Sequence, residues 1–249
     1  MSHYHINKPS VPLRDSGFIE FKVDSDTART LVRKGINDAS LSEDVPLGLY
    51  YSDQEKLLRL ISKLQKRLSE REARNVHCRI IYNNEQRVDP EYMEALEQAW
   101  FPVGNLFGSL GGRSVADYIL HGLYTTHLQP IVQPNSAIVG YEFLMRPLPE
   151  LLPFRPAELF ETARTIGQHS FLDRAARHSA IRMASSHLQN GTKRFINFLP
   201  SSLHSEECLK STFAMISDTE TDPGDYVFEV NETEKLDDPA FKKNIRSIP

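Results

Sequence analysis

Ile138-Val139-Gly140-Tyr141-Glu142-Phe143-Leu144-Met145-Arg146 reads as a β-strand with one carboxylate set among branched and aromatic residues. Just before it, Leu128-Gln129-Pro130-Ile131-Val132-Gln133 is a second apolar-rich run. Pro134-Asn135-Ser136 lies between them with the composition of a turn, so the two runs predict a hairpin. Downstream, residues 156–167 and 171–188 predict two helices, the second closed by Asn190-Gly191. A strand over 193–199, a helical stretch over 202–218 and a strand over 225–231 follow. Strands and helices alternating at this spacing argue for an α/β fold with a parallel sheet or a (β/α) barrel.

Three polar residues interrupt these strands. Glu142 lies among Val139, Tyr141, Phe143 and Leu144; Asn197 among Phe195, Ile196, Phe198 and Leu199; Glu229 among Val227, Phe228 and Val230. A buried carboxylate without a partner costs several kcal/mol. One such residue is ordinarily a satisfied core or edge group. Three on separate strands, late in their runs, point to the C-terminal end of a barrel, where catalytic groups sit. Two carboxylates and an amide are hard oxygen donors, suited to Mg²⁺ or Mn²⁺ and not to zinc or copper. Arg146 follows Glu142 by four residues, on the same side of the strand, and its fork of donors suits a phosphate. The residues alone therefore suggest a metal-assisted phosphoester site.

Gln129-Pro130-Ile131-Val132 followed by Val139-Gly140-Tyr141-Glu142-Phe143-Leu144-Met145-Arg146 resembles the opening of an EAL domain. Pro156-Ala157-Glu158-Leu159-Phe160, Thr165-Ile166-Gly167 and Leu172-Asp173 are similar to its first helical region. Phe195-Ile196-Asn197-Phe198 resembles its asparagine strand, and Phe228-Glu229-Val230-Asn231-Glu232 its Glu-x-Thr-Glu strand. The resemblance covers residues 113–249. It implies a TIM-like barrel that hydrolyses cyclic di-GMP to linear pGpG with Mg²⁺ or Mn²⁺. It further implies that Glu142, Asn197 and Glu229 are metal ligands, with Glu142 and Glu229 catalytic. Gln129, Leu144 and Arg146 would contact the dinucleotide, Arg146 through a phosphate. Glu232 would hold a loop that couples activity to a homodimer formed through the barrel.

The chain departs from the family pattern at Phe143, Leu128, Arg164 and Asn231. Phe143 replaces an alanine, but alternation sends it to the strand face opposite Glu142. After Glu229 the family pattern continues with an Asp-Asp pair, a lysine, a glutamate and a late glutamine. Asp237-Asp238 follows Glu232 too closely to be that pair and reads as a helix N-cap. A complete (β/α)₈ barrel takes roughly 200–250 residues, and residues 113–249 supply about half of that. The expectation is a truncated barrel with little or no hydrolysis by itself, in a parent protein that completes it. The alternative is a degenerate relative that senses cyclic di-GMP or docks a partner.

Upstream, residues 1–16 read as a mobile tail containing His3 and His5. Residues 17–103 alternate strand and helix as a small regulatory α/β module. Its strands are expected over 18–23, 47–51 and 76–82. Its first helix is capped by Asp24 or Ser25 and stopped by Gly35. A second is opened by a Ser52/Glu55 capping box, with Leu57, Leu58, Leu60, Ile61, Leu64 and Leu68 on one face and Lys56, Arg59, Lys63, Lys66 and Arg67 on the other. Asp89-Pro90 opens a third. Gly104, Gly108, Gly111 and Gly112 lack the spacing of a phosphate loop, so 104–112 reads as a linker. A helix over 114–125 then leads into the EAL-like part.

Composition sets the outer limits. The chain has 249 residues, a net charge of −4 and two cysteines. That balance offers no broad basic surface for a nucleic-acid polymer. No run approaches the ~18 apolar residues of a membrane span. Two cysteines and the lack of an apolar leader predict a cytoplasmic protein. Cys208 follows two glutamates, which dull it as a nucleophile.

Overall fold

The computed structural model describes residues 12–82, 100–200, 202 and 206–230, without the side chains of 206 and 207. The expected helix at Asp89-Pro90, and His3, His5, Asn231, Glu232 and Asp237-Asp238, lie outside the described residues. The chain divides into two compact units. The first runs to His121 and includes Glu161–Gln168; the second holds Gly122–Phe160 and the chain from His169.

In the first unit β1 (Gly17–Lys22), β2 (Gly48–Tyr51), β3 (His77–Ile81) and β4 (Phe101–Pro102) form an antiparallel sheet in the order β2-β1-β3-β4. Helix α1 (Asp26–Asp38) is capped by Ser25, whose hydroxyl accepts from the Ala28 N–H at 3.1 Å. It runs through Gly35, which is not its stop. A Cβ there would lie 2.6 Å from Leu64 Cδ2, so the glycine serves the close approach of α1 to α2 (Gln54–Arg67).

The apolar stripe of α2 is buried as its periodicity predicts, with Leu57, Leu58, Leu60, Ile61 and Leu64 inside. Its cap differs from the expected box. Asp53 accepts from the Lys56 N–H at 2.9 Å, and the capping box sits one helix later, at Ser69 and Glu72 of α3 (Glu70–Asn75). A carboxylate one residue nearer the helix outcompetes the Ser52 hydroxyl, which donates to Asp53 instead.

Within residues 104–112, Val103–Leu106 is a 3₁₀ turn, and β5 (Ser109–Leu110) pairs with β6 (Arg113–Ser114) around Gly111 and Gly112, both at positive φ. Leu13, in the stretch expected as a tail, is buried and its N–H donates to the Gly167 carbonyl at 2.8 Å. Helix α4 (Val115–His121) stops short of the expected residue 125 because Gly122 adopts φ +57°.

The second unit is built on a four-stranded sheet, β10-β9-β8-β7. β7 (Tyr124–Val132) and β8 (Ile138–Pro147) are the expected hairpin, antiparallel and longer at its base than the apolar run suggested. β9 (Lys193–Phe198) joins β8 in parallel, and β10 (Tyr226–Val230) joins β9 in parallel. The chain between these strands forms α5 (Pro156–Thr165), whose residues from Glu161 on belong to the first unit, and α6 (His169–His187) and α7 (Glu206–Ser217) of the second. One core cluster contains Phe143, Ile196, Ala180, Ile181, Ala184 and Ile216. Another joins Phe198, Cys208 and Leu209. The fold class is α/β, and among the described residues the sheet does not close into a barrel.

Candidate functional site

Alternation along the strands sorts the sheet into two faces. Phe143, Ile196, Phe198 and Phe228 point into the helix-covered core, with Tyr141 and Leu128 against it. Glu142, Asn197 and Glu229 occupy the alternate positions and therefore share the other face. Phe143 lies on the opposite face from Glu142, as alternation required.

The registers bring these three side chains together. Glu142 stands opposite Phe195, and Asn197 stands opposite Glu229 in the next parallel strand. Asn197 Nδ2 donates to Glu142 Oε1 at 3.0 Å. Burial, and then the charge of Glu142, push the Glu229 carboxyl above its usual range. Asn197 and Glu229 are each the second-last residue of their strand, whereas Glu142 sits in the middle of a longer one.

Gln129 pairs directly with Glu142 across the hairpin. Leu144 pairs with His127, and Arg146 with Thr125, so both continue the Glu142 face along β8. At a rise of about 3.3 Å per residue, Arg146 starts ~13 Å along the strand from Glu142. Its Nη1 donates to the Met145 carbonyl at 2.8 Å. Glu142, Asn197 and Glu229 thus form a group with Gln129 at its side, and Arg146 stands apart on the same face.

A divalent cation fits this group. Burial first and the Glu142 charge second raise the Glu229 carboxyl, and a divalent cation held by these groups would offset both. Asn197 presents Nδ2 to Glu142; its Oδ1, on the same amide, is the hard donor. Among the described residues no group of three His, Cys, Asp or Glu side chains converges. A cation here would draw on two carboxylates and one amide, with water completing the shell, a pattern Mg²⁺ accepts.

Two buried charge pairs escaped the sequence reading. Arg194 donates to Asp225 at 2.9 Å, and Arg177 pairs with Asp173. Both left a signal. Arg194 is in phase with Ile196 and Phe198, and Asp173 and Arg177 share a helix face with Ala180, Ile181 and Ala184. Among the histidines, burial and the arginines at 177, 174 and 182 push His178 down to about 4. Cys208 is buried against Arg177, and the side chains of the two preceding glutamates lie outside the described residues.

A sheet with helices packed on one face and polar donors gathered on the other, two of them near strand C-termini, is the plan of a (β/α)-barrel segment. Residues 113–248, just over half the chain, match the EAL domain family, and the chain belongs to that family. No curated protein matches it. Among solved structures, it is similar to the FimX EAL domain from Pseudomonas aeruginosa bound to c-di-GMP, at 22% identity and TM-score 0.44, covering 53% of this chain and 52% of that one. It is also similar to Klebsiella pneumoniae BlrP1 in a calcium/c-di-GMP complex, at 17% identity and TM-score 0.44, covering 93% of this chain and 72% of that one. The manganese/c-di-GMP complex of BlrP1 matches over the same shares at 16% identity and TM-score 0.39. The chain spans about half the length of the FimX structures it matches. Among the described residues no helix is long and apolar enough to cross a membrane.

Proposed function

We propose that this chain handles cyclic di-GMP in the cytoplasm, with Mg²⁺ or Mn²⁺ held by Glu142, Asn197 and Glu229, and that where the barrel is complete the reaction is EAL-type hydrolysis to pGpG, with little or none by the 249 residues alone. The observation that carries this reading is the Asn197–Glu142 hydrogen bond, with Glu229 in register on the next strand. When bound, the cation supplies charge neutralisation at phosphorus and acidifies a water molecule.

The chain's own residues do the rest. Glu142 and Glu229 would hold the cation, and their carboxylates would orient a water molecule beside it. Arg146 offers its fork of donors to a phosphate oxygen. Gln129, beside Glu142, presents an amide to the dinucleotide, and Leu144 an apolar contact. Glu232 couples the site to a homodimer, and the first strand–helix module, residues 17–103, acts as the regulatory input.

One observation favours a second reading, recognition without turnover. In-line hydrolysis with two metals needs further ligands, and no third acidic or imidazole group joins the two carboxylates among the described residues. A single experiment separates the readings. Cyclic di-GMP is added with Mn²⁺, heat of binding is measured, and the nucleotide is then chromatographed. Binding with pGpG formation supports hydrolysis; binding with intact nucleotide supports sensing. Glu142→Gln is expected to weaken binding at least tenfold, in line with loss of a metal ligand. Absence of binding by the wild-type chain would overturn both readings.

A further inference from the structure

We propose that the buried Asp173–Arg177 pair is a positioning element for Asn197 and sets how tightly the Glu142–Asn197–Glu229 face holds a divalent cation. The inference rests on reading that face as a cation site. Asp173 and Arg177 stand one turn apart on α6, with side chains 5% and 0% exposed. Taking two charges out of water is expensive, and an apolar pair of similar volume ordinarily packs at least as well. Their contacts supply a reason for charge here.

Both residues grip the chain immediately after Asn197. Asp173 Oδ1 accepts from the Leu199 N–H at 3.2 Å, while Oδ2 takes Arg177 Nη1. The Arg177 guanidinium lies 3.8 Å over the centroid of the Phe198 ring. Two further donors are anchored on α7, Nε to Thr212 Oγ1 at 3.0 Å and Nη2 to Cys208 Sγ at 2.9 Å. So Phe198 is held by its ring and Leu199 by its backbone, from the helix side of the sheet. Asn197 precedes both and projects to the other side. Strand β9 ends at Phe198, so among the described residues the ladder does not extend to Leu199. The clamp therefore sets the direction in which the Asn197 amide leaves the strand. A planar, five-donor cation suits this task, because one group must stack on a ring and bond three partners at once.

The test titrates Mn²⁺ alone into the full 249-residue chain and follows free Mn²⁺ by its paramagnetic signal. Arg177→Lys keeps the charge but loses the planar stack and fork. Phe198→Leu removes the ring and leaves the ion pair. Ile181→Val loosens the neighbouring core cluster, on the same helix and joined to the clamp's own cluster through Phe228, without touching the clamp. Thermal melts accompany each variant. Arg177→Lys and Phe198→Leu are expected to weaken Mn²⁺ binding about tenfold, the usual scale for partners that orient a metal ligand. Ile181→Val is expected to leave it unchanged, and Asn197→Ala to abolish it. If Arg177→Lys fails to fold, Phe198→Leu decides the matter. Wild-type affinity in the clamp variants, with binding lost in Asn197→Ala, overturns the positioning role and leaves the cation site standing. Equal weakening in Ile181→Val reduces the clamp to general packing and also overturns it. Wild-type affinity in both Asn197→Ala and Glu142→Gln removes the cation site itself, and the positioning role with it.

Discussion

Charge is arranged in opposite ways on α2 and around β9. On α2 the basic side chains Lys56, Arg59 and Lys66 stand about half in solvent, at 48%, 52% and 56% exposure, and Arg67 is partly covered. Arg59 pairs with Glu55, itself 59% exposed. Lys66 reaches Asp117, and Arg67 reaches Asp38. Around β9 the pairs are internal, with Arg194 and Asp225 0% and 5% exposed. Exposed pairs are worth about 0–1 kcal/mol, so the first unit is held by the leucines beneath its charges. Breaking a buried pair by removing one partner costs about 3–5 kcal/mol, so in the second unit each buried charge depends on its partner. The basic stripe of α2 is a solvated face, and the informative charges are those in phase with apolar residues.

The strongest challenge to that contrast is Arg194→Met, which leaves Asp225 inside. A loss of about 3 kcal/mol is expected in a denaturant titration at pH 7, the low end of the range for a broken pair. The low end applies because Lys193 and the Gly191 N–H still reach Asp225. Acid sharpens the test. Burial pushes the Asp225 carboxyl up, but the Gly191 N–H and Arg194 outweigh it and hold the group below the usual carboxylate range. A depressed folded-state pKa contributes stability that is present above the unfolded value, about 3.9, and is lost as pH falls through the folded value. The gap between wild type and Arg194→Met should accordingly narrow below about pH 4. A constant gap from pH 7 to pH 2 would contradict this origin.

Gly140→Ala asks whether backbone spacing matters as much as charge in the second unit. A Cβ on Gly140 meets the Lys193 carbonyl at 2.5 Å. Backbone cannot swing aside as a side-chain tip can, so β8 and β9 must part next to Glu142. A loss of about 1–3 kcal/mol is expected, with weaker Mn²⁺ binding because the Asn197–Glu142 bond crosses that seam. At the small end, Arg59→Ala should change stability by no more than about 0.5 kcal/mol. A larger loss would mean that the solvated pairs of α2 act as a network.

Much of the second unit was readable because its signals are local. Runs of β-branched and aromatic residues marked β7 to β10, and carboxylates out of character with those runs marked Glu142 and Glu229. Alternation then placed Phe143 away from them. What escaped depends on partners distant in sequence. Gly35 has the composition of a helix stop, and only Leu64, on another helix, turns it into a packing glycine. Arg194 and Asp225 are 31 positions apart, and Asp173 and Leu199 are 26 apart; no pattern within a window links them. The Ser52/Glu55 box failed for a different reason, since two capping groups stood side by side and the charged one won.

The hairpin register has a kinetic consequence. β7 and β8 are joined by a short turn, so closing them costs little chain entropy, and Gln129 meets Glu142 through local contacts. Asn197 arrives only after the two helical segments between β8 and β9 have found their places, and Glu229 later still along the chain. Contacts between distant segments are the slow ones to form. The half of the site facing the hairpin is thus expected to assemble early, and the half that joins three strands last. A ligand bridging all three strands acts on contacts absent from the early structure, so it holds the finished protein against unfolding and leaves the rate of folding nearly untouched.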